Sequence, residues 1–211
     1  VDLLENSARI KCTLNMRRNQ ESLDAQSANL VLDGDSELNT LSLKVDEITL
    51  STDKYRVEGD KLVVFDLPST FSLSTEVEIS PYENTRLEGF YQSGEIFCTQ
   101  CEAEGFRNIT WYLDRPDVMS VFTTTISAEK KYPTLLSNGN KISRGESEHR
   151  HWATWSDPFP KPSYLFAMVV GDLASTEEFY VTGSGRRVEL KIFTEKHNID
   201  KVDFAMSSLK N

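Results

Sequence analysis

The sequence of 211 residues lacks most of the features that would commit a chain to a specialised class. It has no basic tract: the formal charge is -10, and its nearest approach to a cationic cluster is the pair Arg186-Arg187. Phosphate backbones are bound by clustered lysine and arginine, so nucleic acid is not an expected partner. There is no long apolar run either. The longest covers residues 164–170, far short of a bilayer span, so no membrane partner is expected. Three cysteines, an odd number, do not make a disulfide framework, and a reduced, cytoplasmic setting is the expectation. Nothing near Val1 has the pattern of a secretion signal. Repeats, low-complexity tracts and an interior linker are missing too, while 38% hydrophobic and 27% charged residues suit an ordinary globular core.

What is present is alternation. Ala8, Ile10, Cys12 and Leu14 alternate with Arg9, Lys11 and Thr13, and Leu41, Leu43 and Val45 repeat the pattern. A period of two is the signature of strands with one buried face. Phe71, Leu73, Val77 and Ile79 predict another strand, with an irregularity where the phase is lost. Hairpins are expected across Glu58-Gly59-Asp60, Ser93-Gly94 and Gly183-Ser184-Gly185, and turns at Asn138-Gly139 and Arg144-Gly145. Residues 121–128 predict a strand, and the apolar run 164–170 predicts a central one covered on both sides. Helix is scarce. A short one is expected over residues 106–113, stopped by Arg115-Pro116, and another from Asn198, with Ile199, Val202, Ala205, Met206 and Leu209 on one face. The fold class is all-β, two packed sheets.

Few residues suggest chemistry. Cys98-Thr99-Gln100-Cys101 is a formal C-x-x-C, but its flanks predict strand rather than the helix N-terminus that activates such thiols, and no second pair completes a zinc site. The same strand reading places Gln100 and Glu102 on one face, with Cys101 on the other. An amide oxygen and a carboxylate side by side can cradle an ammonium group. His149 and His151 lack a third metal ligand, and Asp114-Arg115-Pro116-Asp117 reads as a charged proline turn. Trp152 and Trp155 read as packing residues before they read as a stacking surface. Asn108-Ile109-Thr110 is a formal glycosylation site of little promise.

Several motifs in order carry a stronger signal. Thr85-Arg86-Leu87-Glu88-Gly89-Phe90-Tyr91-Gln92-Ser93 is followed by Thr99-Gln100-Cys101-Glu102-Ala103-Glu104-Gly105-Phe106-Arg107 and Tyr112-Leu113-Asp114-Arg115-Pro116-Asp117-Val118. Then come Leu136-Ser137-Asn138-Gly139-Asn140, Asp157-Pro158-Phe159-Pro160-Lys161-Pro162-Ser163-Tyr164-Leu165-Phe166-Ala167 and Val170-Gly171-Asp172. Together they resemble the N-terminal domain of the aminopeptidase N family of zinc metallopeptidases, in its bacterial branch. The likeness is dense from about residue 85 onward and loose before it.

The resemblance implies a saddle-like two-sheet β-sandwich that precedes a thermolysin-like catalytic domain and closes one side of its active site. It implies that Glu102 pairs with the α-ammonium of a peptide substrate with a free N-terminus and that Gln100 hydrogen-bonds near the first residue. Residues 1–197 would form the β domain, and 198–211 would begin the helix entering the catalytic domain. The family's zinc ligands, H-E-x-x-H and a later Glu, have no counterpart here, nor has its G-x-M-E-N motif. No catalytic and no metal residue is therefore assigned to this chain. Zinc is expected in the full-length enzyme, and the chain alone is expected to be inactive. The alternative is a stand-alone β-sandwich module that binds peptide or protein without catalysis.

Overall fold

The computed structural model describes residues 1–19 and 29–211. In chain order the strands are β1 (Asp2–Leu3), β2 (Ala8–Arg17), β3 (Leu30–Asp33), β4 (Asn39–Val45), β5 (Ile48–Thr49), β6 (Tyr55–Glu58), β7 (Lys61–Val64), β8 (Thr70–Ile79) and β9 (Gly89–Ser93). They continue as β10 (Ile96–Gln100), β11 (Ser120–Glu129), β12 (Thr134–Ser137), β13 (Asn140–Glu146), β14 (Arg150–Lys161), β15 (Met168–Gly171), β16 (Ala174–Val181) and β17 (Arg187–Thr194). Helix α1 (Asp203–Lys210) closes the chain. An eight-stranded sheet, ordered β13-β14-β11-β1-β2-β8-β4-β5, packs against a four-stranded one ordered β12-β15-β10-β9. A three-stranded sheet, β3-β7-β6, and the hairpin β16-β17 complete the all-β sandwich.

The longest ladder shows why these sequences form these strands. β2 and β8 pair antiparallel from Ala8↔Ile79 to Arg17↔Thr70 without a break. Ala8 and Ile10 face the core opposite Ile79 and Val77, while Arg9 on the outer side lies 3.4 Å from Glu78 and 3.6 Å from Glu76. One face removes apolar area from water and the other carries matched charges. The irregularity expected in β8 is not there. Thr75 occupies the inward position where an apolar residue was looked for, and its hydroxyl meets that of Thr110 at 3.3 Å. The distortion lies in β4 instead. Between Thr40 and Ser42 the register shifts against β8, so Leu41 is the extra residue of a bulge and turns outward, 44% exposed.

The core joins all three larger sheets. Leu73 and Val77 of β8, Phe97 of β10, Val170 of β15 and Leu32 of β3 are fully buried in one cluster. Phe97 is flanked edge-on by Tyr82 and Tyr132, with ring centroids 4.8 and 5.6 Å away. The three expected hairpins form as β6-β7, β9-β10 and β16-β17.

Four further expectations fail, each for an identifiable reason. The apolar run 164–170 is not one strand: Ser163–Leu165 is a 3-10 turn and only Met168–Gly171 pairs, as an inner strand between β10 and β12. Pro162 sets that turn, and Leu165 points outward at 50% exposure. The helix expected over 106–113 shrinks to a 3-10 turn at Phe106–Asn108, because Tyr112 bridges to Asp33 through reciprocal backbone hydrogen bonds. Arg144-Gly145 is not a turn but part of β13, where the Trp152 ring packs where a Gly145 side chain would stand. The last helix begins at Asp203 after a 3-10 stretch, Lys196–Lys201, and of its expected apolar face Val202 and Met206 are buried while Leu209 is 53% exposed.

Candidate functional site

Gln100 is the last residue of β10, paired with Gly89 of β9. Glu102 is not on that strand. The chain leaves the sheet at Cys101 and turns through residues 102–105, with the Gly105 N–H donating to the Cys101 carbonyl at 2.8 Å. The Glu102–Ala103 peptide is cis. Strand periodicity is therefore not what brings Gln100 and Glu102 together. They meet because the Gln100 amide Nε2 donates to the Glu102 backbone carbonyl at 3.0 Å, across the mouth of the turn. Both side chains are exposed, whereas Cys101 between them is buried, 3% exposed. One of the two Nε2 hydrogens is thereby committed, and the amide keeps its oxygen as an acceptor.

The turn is held from both ends. Cys101 enters the core at one end. Phe106 enters it at the other, edge-on to Tyr112, Phe166 and Phe122 at 4.9, 5.2 and 5.9 Å. Arg107 beyond it is tied to the buried carboxylate of Asp114. Burial opposes the charge on Arg107, but the hydrogen bond and charge of Asp114 outweigh it and raise its pKa. Gly105 has no room for a side chain: a Cβ there would stand 2.3 Å from the Gln100 carbonyl oxygen and 3.0 Å from the Cys101 Cα. Gly89, opposite, has φ +73° and its Cβ would meet Asn108 at 2.7 Å. Sequence reading did not single out Asp114, Gly105 or Gly89 as supports of this turn. Their signal was only their placement beside the Gln-Cys-Glu segment.

The other candidates have structural employment. Burial pushes the Cys101 thiol up to about 12, which opposes thiolate formation, and the three cysteines are free. His149 is exposed, while His151 Nε2 lies 2.8 Å from the Tyr132 carbonyl oxygen. Among the described residues no group of three or more His, Cys, Asp or Glu side chains could hold a metal ion, so the residues here do not fit zinc. Arg115 pairs with Asp117 at 3.1 Å in the proline turn. Trp155 packs against the core with its Nε1 donating to the Leu135 carbonyl at 3.1 Å, and Trp152 is 38% exposed. No described helix is long and apolar enough to cross a membrane.

The class the fold defines is an all-β sandwich, here with a polar turn held between buried anchors. The description "Peptidase M1 N-terminal domain" matches residues 2–165, and the chain belongs to that family. It is 50% identical over 189 residues to aminopeptidase N of Escherichia coli (strain K12), covering 89% of this chain and 21% of that protein. It is 44% identical over 210 residues to aminopeptidase N of Caulobacter vibrioides, covering 99% of this chain and 24% of that one. A crystal structure of Legionella pneumophila aminopeptidase A in complex with aspartic acid superposes with a TM-score of 0.89 at 34% identity, over 96% of this chain and 24% of the other. Native leukotriene A4 hydrolase from Saccharomyces cerevisiae shares the fold, with a TM-score of 0.72 at 18% identity over 96% of this chain and 31% of that one. The chain thus spans about a fifth to a quarter of the length of the curated relatives it matches.

Proposed function

We propose that this chain is the part of a zinc aminopeptidase that reads the free amine of a peptide substrate and caps one side of the active site. The observation that carries the reading is the Gln100–Glu102 turn, in which Gln100 Nε2 bonds the Glu102 backbone carbonyl and both side chains are exposed between the buried anchors Cys101 and Phe106. An enzyme that removes one residue from a peptide's N-terminus has to hold the terminal ammonium at a fixed distance from the bond it cleaves. Glu102 supplies the countercharge, and the Gln100 carbonyl oxygen accepts a further N–H bond. Closed off from water by the rest of the enzyme, that pairing is stronger than at an open surface. Hydrolysis and zinc belong to the remainder of the longer protein, so this chain by itself is inactive. Residues 1–197 act as the β domain, and 198–211 begin the helix that leads into the catalytic domain.

The experiment is Glu102→Ala in the full-length enzyme. A charge-assisted hydrogen bond contributes about 1.5–3 kcal/mol, so kcat/KM on a free-amine substrate falls roughly 10- to 100-fold, chiefly through KM. Unchanged kinetics would remove the amine-binding role.

A further inference from the structure

β9 is an outer strand of its sheet, so the backbone groups it turns away from β10 meet no strand. The segment just before it supplies their partners. Gln92 N–H donates to the Pro81 carbonyl at 3.0 Å, and the Phe90 carbonyl accepts from Asn84 Nδ2 at 3.0 Å. Asn84 Nδ2 also donates to the Glu88 carbonyl at 2.7 Å, and Asn84 Oδ1 accepts the Arg86 N–H at 3.1 Å. Both amide hydrogens and the amide oxygen of this one side chain are therefore committed to the backbone of residues 86–90.

Those three bonds bracket two residues of left-handed backbone. Arg86 and Glu88 flank Leu87, with φ +59°, and Glu88 and Phe90 flank Gly89, with φ +73°. Glycine adopts that region freely, but a leucine there is an outlier. Burial does not account for it, because Leu87 is 53% exposed. The conformation is held by its surroundings. Asn84 grips the peptides on either side of Leu87, and the Arg86 guanidinium is clamped to Asp35 at 3.0 Å and Glu37 at 3.2 Å.

What this loop delivers is Gly89. Its backbone pairs with Gln100 at the end of β10. It also lies against Gly105, where an added Cβ would stand 3.2 Å from the Gly89 nitrogen. Gln100 precedes the turn that carries Glu102, and Gly105 closes it. Gly89 thus touches both feet of that turn.

We propose that Asn84 is a positioning residue for the amine site. By fixing the left-handed run 87–89 it sets Gly89, and through Gly89 the placement of Gln100 and Glu102. It acts through the backbone rather than on substrate, and its role rests on the amine-binding reading above.

The test is Asn84→Ala in the full-length enzyme, assayed on a free-amine substrate. KM should rise roughly tenfold while kcat changes by less than about twofold. A residue that only supported the fold would lower Tm and the fraction of active enzyme, and the molecules still folded would keep the wild-type KM. That result would overturn the proposal. Asn84→Asp is the second variant, should the alanine form not fold. It keeps the shape and the acceptor for Arg86 N–H but has no N–H to give Glu88 and Phe90, so the same rise in KM is expected. A wild-type KM in the aspartate form would likewise refute the role.

Two combinations separate positioning from a general effect. In a Gln100→Ala/Glu102→Ala background, Asn84→Ala should lower kcat/KM by less than about twofold further, because the groups it places are gone. A loss there as large as in the wild-type background would sink the idea. Leu87→Gly added to Asn84→Ala should recover roughly threefold in KM, because glycine holds the left-handed conformation unaided. No recovery would show that Asn84 does not act by holding that conformation. If Gln100→Ala and Glu102→Ala both leave the kinetics unchanged, the amine reading falls and this role falls with it. If those two are costly and Asn84→Ala is silent, only the positioning role falls.

Discussion

Asp114 grips Arg107 at three points. Its Oδ2 accepts the Arg107 backbone N–H at 3.0 Å and Nε at 3.1 Å, and its carbonyl accepts Nη2 at 2.9 Å. The other carboxylate oxygen takes the Ser163 hydroxyl, and the Asp114 N–H donates to Asp33 Oδ2 at 3.1 Å. Through its buried carboxylate and its backbone N–H, Asp114 thereby ties the 3-10 turn after the Gln-Cys-Glu segment to two other parts of the sandwich.

Removing that carboxylate leaves the guanidinium, 18% exposed, without its buried partner and with the exposed Glu104 carboxylate, 3.3 Å away, as a remaining ion pair. Asp114→Ala should destabilise the fold by about 3 kcal/mol, read as a lower urea midpoint with an unchanged m-value. Arg107→Lys should recover only part of the wild-type stability, because an ammonium cannot reproduce the fork that spans Oδ2 and the carbonyl. Full recovery by lysine would show that charge alone matters there.

Gly105→Ala tests the support of the candidate site. The added methyl collides with backbone, the Gln100 carbonyl oxygen and Cys101 Cα, which cannot swing away as a flexible side chain would. A cost of about 1–3 kcal/mol is expected. In the full-length enzyme KM for free-amine substrates should rise as the turn shifts. A variant of wild-type stability and kinetics would mean the turn has slack.

Gln100→Ala and Glu102→Gln separate the two halves of the amine cradle. Glu102→Gln removes the countercharge and should cost more in kcat/KM than Gln100→Ala, which removes a neutral acceptor worth about 1 kcal/mol. Equal effects would argue against an ion pair as the main contact.

Acid stability should depend on Asp157. Lys161 beside it, with Nζ 2.9 Å from Oδ2, holds its carboxyl below the usual aspartate range. A lowered folded-state pKa contributes stability that is present above the unfolded value and is lost as pH falls through the folded one. Tm measured from pH 7 down to about pH 2 should therefore drop below pH ~4, and Asp157→Asn should flatten that limb. At neutral pH the same variant should melt lower, since it leaves Lys161, 9% exposed and 4.1 Å from the Phe122 ring centroid, without a counterion.

Cys101 should resist alkylation in the native state at pH 8, because burial both shields the thiol and pushes it up to about 12. Mass spectrometry after a short iodoacetamide pulse, with and without denaturant, distinguishes this from a reactive C-x-x-C pair. Rapid native labelling of Cys101 would restore the redox reading.

Much of the fold was readable from periodicity. Ladders such as β2-β8 and all three hairpins follow from alternating burial and turn chemistry, which are local properties. The readings that failed needed a distant partner. Residues 106–113 carry helical signals, but Tyr112 is claimed by Asp33, and Leu41 keeps its alternation in sequence while a bulge against β8 turns it out.

The sequence by itself determined an all-β chain of this family and named Gln100 and Glu102 as the residues to watch. Only the tertiary structure decided how those two meet. The strand ends at Gln100, and Glu102 arrives through a turn anchored by Cys101, Phe106 and the Asp114–Arg107 tie. A period of two describes one strand and its faces. It holds no information on where a chain leaves the sheet, which is set by the side chains the core accepts from elsewhere in the fold.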